Sequence, residues 1–240
     1  MEEERSPGAS RIFRHEQARP GEPVGSDNPV LDAVQDHVER HLGTVESVFH
    51  EIVSEDIHLD LLRVEPTDER PFHTFVTCGM SAKPMAVPEG MEDFRFAELV
   101  LGLLPGWPLG DEDLRDERNY WPLRLLKDLA RLPHSYDTWL GIGHTMPNDD
   151  PPQPYAPGTE LCCALIGPAL WGPEGFETLE RPEGPINFYG VFAIHADEME
   201  FKLARGADAL GERFDRAGVS ELLVPDRPSA LRRRKRFGIF

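Results

Sequence analysis

The sequence predicts an α/β protein of the α+β type: a single domain with one mixed, mainly antiparallel sheet covered by helices. Three observations predict it. Apolar residues alternate with period two in 48–53, 57–64 and 72–80, and run nearly unbroken in 96–104, 161–166 and 186–194. They recur at helical spacing in 27–41, 119–133 and 197–217. Strand and helix patterns alternate only loosely along the chain, which argues against a doubly wound parallel sheet. At 240 residues one large domain suffices, burying about 70% of the surface its unfolded form exposes.

Residues 1–27 mix charge with Pro7, Pro20 and Pro23 and show no sustained period, so they read as a flexible leader. Asp27 is the expected N-cap of the first helix, which carries Leu31, Val34 and Val38 on one face and stops at Gly43. The strands 48–53 and 57–64 form a hairpin across Ser54, Glu55 and Asp56. In the second of them Ile57, Leu59 and Leu61 share one face, and His58 and Asp60 the other. A charged turn at 66–71 leads into strand 72–80, where Phe72, Thr74, Val76 and Cys78 share a face. The run 96–104 fits either period; Gly102 and the following Pro105 favour a strand.

Asn119 caps the central helix, Pro122 falls in its first turn, Leu125, Leu126, Leu129 and Leu132 share a face, and Pro133 closes it. Trp139, Leu140 and Ile142 then read as a buried strand, with Gly141 and Gly143 marking close approach by another backbone or a ligand. Five prolines in 146–158 exclude a regular element, so this is a long loop. Asp197 caps the last helix, which buries Met199, Leu203, Leu210 and Phe214 and ends at Gly218. The expected organisation is a leader over 1–27, a folded domain over 28–226 and a basic tail over 227–240.

The formal net charge is −18, and residues 1–226 carry 19 basic against 43 acidic residues because six of the cations lie in 227–240. Such a body repels nucleic acid and anionic membranes and steers toward basic partners. Cys78, Cys162 and Cys163 are an odd count. Adjacent cysteines on a strand point to opposite faces, so all three read as buried free thiols of a reducing compartment. No stretch reaches the ~20 apolar residues of a membrane span, and the N-terminus has no apolar core, so a cytoplasmic location is expected.

No GxSxG elbow, P-loop or GxGxxG occurs, which removes the hydrolase and nucleotide signatures. His58, Asp60, His73 and His144 are the residues from which a metal site, and hence a metal-dependent hydrolase, would have to be built, since imidazole and carboxylate suit zinc or iron. None of them has the tight helical spacing of a zinc protease motif. Asp137 precedes an apolar segment and needs a partner, unless it serves as a turn-former after Pro133.

Four ordered blocks, IHLDLLRVEPTDERPFHTFVTCGMSAKPM (57–85), YWPLRLLKDLARLP (120–133), DTWLGIGHTM (137–146) and FYGVFAIHADEMEFKLARGADALGERF (188–214), resemble the suppressor of fused family in its compact bacterial single-domain form. The resemblance implies an α/β binding module without a known catalytic activity; no cofactor and no metal are expected. Eukaryotic members sequester a transcription factor, and bacterial members act mostly as immunity proteins that neutralise polymorphic toxins. It also implies a peptide-holding role for Asp137, the nearest match to an acidic residue after the corresponding helix. The eukaryotic clamp uses a second, C-terminal domain for which this chain has no room. The expected binding residues are Asp137, Trp139, His144, Asp60 and His58, with Trp107 and Trp171 as further candidate aromatic anchors. The expected partner is a protein, a basic toxin, with binding of a regulatory peptide or transcription factor as the alternative; nucleic acid and membrane are not expected.

Overall fold

The strand FAELVLGL lies in the middle of a nine-stranded mixed sheet and is buried along its whole length. A computed structural model describes residues 4–15, 18–21, 23–25, 28–50 and 54–232. The elements are β1 (Pro23–Val24), α1 (Leu31–Leu42), β2 (Val45–Phe49), β3 (Ser54–Glu55), β4 (Asp60–Val64), β5 (His73–Cys78), β6 (Phe96–Leu103), α2 (Glu117–Tyr136), β7 (Thr145–Pro147), β8 (Cys163–Pro168), β9 (Thr178–Leu179), β10 (Ile186–Ile194), α3 (Ala196–Arg205), α4 (Ala207–Ala217) and β11 (Leu222–Leu223). The sheet runs β2-β4-β5-β6-β10-β8-β7, with β11 also beside β6 and β9 beside β10. Its pairs are antiparallel except β6 with β10 and β6 with β11.

Helices on both faces explain why β6 shows no alternation. One face carries Leu61, Phe75, Leu99 and Leu101 against Trp121, Leu125, Leu126 and Leu129 of α2. The other carries Leu62, Val76, Val100 and Phe188 against Val34 and Val38 of α1. Leu210 and Phe214 of α4 cover Leu165 and Phe192 at the far end of the sheet. The three cysteines are buried and free, with Cys162 Sγ and Cys163 Sγ 3.9 Å apart. Among the described residues no helix is long and apolar enough to cross a membrane.

Several boundaries differ from the expected ones for local reasons. Helix α2 starts earlier, because Asp116 accepts a hydrogen bond from Arg118 N at 2.9 Å as the N-cap. It also runs past Pro133, which falls in its last turn, to Tyr136. Asp137 ends it in the left-handed conformation, φ 52°, with its N–H donating to Pro133 O. The expected last helix is broken at Gly206, whose φ of 92° leaves the helical region and separates α3 from α4. Residues 138–144 are not a strand: the Trp139 ring folds over Gly141, where a Cβ would lie 2.5 Å from it, and Ile142 is 61% exposed. The close approach expected at Gly143 is absent, since a Cβ there would meet only Ala207 Cβ at 3.8 Å; what the glycine supplies is its φ of 89°. Asp27, and residues 51–53 of the expected first strand, lie outside the described residues.

Two buried carboxylates knit these layers together. Glu98, the third residue of β6, accepts from Thr77 Oγ1 (2.6 Å), Gly79 N (2.9 Å), Ser81 N (3.0 Å) and Ser81 Oγ (2.6 Å). Burial pushes its carboxyl up, and the hydrogen bonds from Ser81, Thr77 and Gly79 pull it back. Glu198 of α3 holds Arg227 in a two-pronged pair at 2.6 and 2.7 Å and also accepts from His195 N and Ala230 N. The segment after β11 is thereby fastened to the sheet end of α3.

Replacing Glu98 with Ala orphans four donors at once, so Glu98→Ala is expected to cost at least about 3 kcal/mol in urea unfolding; a loss below 1 kcal/mol would contradict the cradle. Glu221 gives a pH signature. Burial raises its carboxyl to about 7, so the folded protein holds a proton there that the unfolded chain releases near its ordinary carboxylate range. Stability from this group is complete below that range and falls as pH rises through 7, by about 3 kcal/mol in all. Glu221→Gln is expected to flatten the decline between pH 5 and 8, measured by unfolding at each pH.

Candidate functional site

The five expected binding residues fall into two groups on different parts of the sheet. Asp137, Trp139 and His144 lie together where α2 ends and the chain turns toward β7. Trp139 is half-buried against the α2 side of the core, and its ring meets His144 edge-on at 4.4 Å. Burial, with Lys202 nearby, lowers the His144 pKa to about 4, so at neutral pH this imidazole is an uncharged aromatic surface. Asp137 is exposed, and its left-handed backbone turns its carboxylate out from the helix end.

The N-terminal segment lies across this group. Gly8 N donates to Leu203 O at 2.7 Å, beside the Gly206 joint of α3 and α4. The Phe13 ring sits 5.7 Å from His144, and His15 lies 5.1 Å from Tyr136. Arg19 then pairs with Asp137 while its N–H donates to Ser135 O. Four residues further on, β1 pairs antiparallel with β3. The described residues of this segment thus touch the α3–α4 joint, His144, Tyr136, Asp137 and β3 in turn. Beneath it is a cleft of about 410 Å³ bordered by Arg19, Asp56, Lys83, Pro133, His134 and Asp137. An arginine thus lies on the carboxylate and an aromatic ring beside the neutral imidazole.

His58 and Asp60 belong to the other group. Asp60 is 1% exposed, and its Oδ1 lies 2.9 Å from His50 Nδ1 and 3.2 Å from His58 Nε2. Its Oδ2 accepts from Asn28 Nδ2 at 3.1 Å. His73 and His144 do not join them. His73 pairs with Leu103 in the sheet register, whereas Asp60 pairs with Cys78 at the other end of β5, and the His73 ring contacts Glu65 and Pro105 O instead. The four-residue metal set built from His58, Asp60, His73 and His144 is therefore not assembled. His50 takes the missing place. It is the partner that sequence reasoning missed, and the expected hairpin between 48–53 and 57–64 was the available signal, because it sets the end of the first strand beside Asp60.

The tryptophans divide by hydrogen bonding. Trp121 is core, stacked on Tyr155 at 5.1 Å; Trp107 is half-buried and donates to Asn119 O. Trp171 is 46% exposed, tethered by its Nε1 to Ser220 Oγ at 2.9 Å and packed edge-on against Phe72.

A family model described as Suppressor of fused protein (SUFU) matches residues 55–228. Among solved structures, a SUFU homolog from Neisseria gonorrhoeae FA 1090 is similar at TM-score 0.57 and 17% identity, covering 85% of this chain and 96% of that one. A structure titled as the Sufu-Fu complex is similar at TM-score 0.58 and 13% identity, covering 85% of this chain and 93% of that one. At these identities the likeness is one of fold. No curated protein matches the chain in sequence.

The neutral state of His144 is directly measurable. Its ring resonances are expected to titrate with a midpoint of about 4 in a pH series by NMR; a midpoint in the ordinary histidine range would show an exposed, chargeable ring and remove the aromatic role.

Proposed function

The chain belongs to the suppressor of fused family, and from that premise we propose that it is a non-catalytic protein-binding module that neutralises a basic toxin domain by occluding it. The observation that carries the reading is the pairing of Arg19 with Asp137, alongside Phe13 on His144. The chain's own N-terminal segment serves there as a stand-in for a partner, presenting a cation to the acidic anchor and an aromatic ring to the uncharged imidazole. An excess of 43 acidic over 25 basic residues supplies the long-range attraction that brings a cationic protein to this face.

Asp137 alone contributes little, because an exposed ion pair is screened by water and salt. Affinity would come from the apolar surface of Trp139 and His144, with the cleft beside Asp137 adding polar contacts through Asp56, Lys83 and His134. The N-terminal segment and the partner compete for one surface.

A second reading, a regulatory binder of an extended peptide, draws on the antiparallel pairing of β1 with β3: an extended segment is seated beside a short strand, the geometry of strand addition. The structure of the similar protein titled as a Sufu-Fu complex is in keeping with a partner-binding fold.

The test begins with capture of the partner from native lysate at low salt, elution at high salt and identification by mass spectrometry, followed by affinity measurement with the purified pair. A basic toxin domain is expected, with affinity that falls steeply as salt rises. Asp137→Ala is expected to weaken binding by no more than about fivefold, and deletion of residues 1–21 to strengthen it. An affinity that is the same at low and high salt would remove the electrostatic mechanism, and a partner with no basic surface would favour the peptide reading.

A further inference from the structure

The arrangement of His50, His58 and Asp60 is independent of the face described above and asks for an explanation of its own. Asp60 enters β4, and its side chain is almost wholly enclosed. A carboxylate so placed is costly unless its charge is matched. Its Oδ1 is approached by two imidazole nitrogens at 2.9 and 3.2 Å, and Oδ2 by the Asn28 carboxamide at 3.1 Å. Asn28 is itself anchored, donating also to Cys78 O at 3.0 Å.

The three side chains meet for a reason of register. His58 and Asp60 are two residues apart, so they share one face of the strand while Ile57, Leu59 and Leu61 go into the α2 side of the core. The antiparallel pairing of Phe49 with Leu61, carried on by one residue, sets His50 opposite Asp60. Gly79 fixes the backbone from behind: its φ is 126°, and a Cβ there would lie 2.0 Å from His58 O. Glu98 in turn holds Gly79 N at 2.9 Å.

We propose that His50 Nδ1, His58 Nε2 and Asp60 Oδ1 form a zinc-binding site. These atoms lie within 4.8 Å of one another. Two of the three separations, 2.9 and 3.2 Å, are close to the edge of about 3.3 Å that a tetrahedron with zinc–ligand bonds of 2.0–2.1 Å requires. Two imidazoles and a carboxylate are hard-to-borderline donors of the kind zinc takes, and three protein ligands leave a fourth position for water. His50 is the gate to that position, since its side chain is 61% exposed while His58 and Asp60 are enclosed. The Asn28 hydrogen bond to the second oxygen orients the carboxylate, as outer-shell partners do in zinc sites. The ion would tie the end of β2 to β4.

The experiment uses the full chain, stripped with EDTA and then titrated with zinc against a chromophoric chelator, with thermal melts in parallel. One equivalent of zinc is expected to bind tighter than micromolar and to raise the melting temperature. His50→Ala, exposed enough to leave the fold intact by circular dichroism, is expected to weaken zinc by at least about 100-fold, beyond the cost of losing a supporting residue. Asp60→Asn, which keeps shape and the Asn28 contact, should do the same, while His41→Ala, on α1 and away from the cluster, leaves binding unchanged. Absence of stoichiometric binding in the unaltered chain, or binding that survives His50→Ala undiminished, overturns the site.

Discussion

Through Glu98 the central strand is tied to Thr77, Gly79 and Ser81 of the neighbouring segment. A carboxylate with no exposed surface in the central strand is tolerated only because the Thr77–Ser81 turn wraps it with four donors. That turn is therefore not free to move with respect to β6. The consequence travels outward through contact: Gly79 abuts His58 O, and Met80 O accepts from His134 of α2. One carboxylate thus fixes β5, the approach to β4 and the last turn of α2 in a common frame. The cleft at Asp137 and the cluster at Asp60 both stand on that frame, on different sides of the sheet.

The Asp137–His144 face illustrates how modest parts make a surface. An α2 that runs past Pro133 to Tyr136 places Asp137 in a left-handed cap, which turns the carboxylate toward solvent. Trp139 then folds back over Gly141 and against His144, so that polar anchor and aromatic surface are adjacent. Desolvation keeps the imidazole neutral, which suits it to stacking and unsuits it to pairing with acids. The N-terminal segment exploits both features in order, Phe13 on the ring and Arg19 on the carboxylate.

Elements governed by long, local periodicity were legible in the sequence, and those governed by tertiary contact were not. Strand β6, the apolar stripe of α2, the pairing of β2 with β4 and the buried cysteines follow from alternation, helical spacing and composition. Trp139–Ile142 resembles a strand in sequence because its apolar residues mimic one; in the structure the indole folds over Gly141 and Ile142 is exposed. The break at Gly206 was passed over because one glycine is tolerated inside a helical pattern, and the backbone there turns out to lie at φ 92°. Glu98 looks like noise in an apolar run, since its four donors come from residues about twenty positions away. The site was legible in part: Asp137, Trp139 and His144 do cluster and His58 does meet Asp60, but the two sets are apart, and His50 was invisible without the strand register.

In the proposed mode of binding, a partner engages the Asp137–His144 face and displaces the chain's own N-terminal segment from it. Amide hydrogen exchange, with and without the purified partner, tests this most directly. Protection is expected to rise in peptides spanning 133–146, with exchange of 4–21 accelerated as that segment is released. Unchanged exchange at 133–146, with new protection confined to another surface such as that around Trp171, would contradict it.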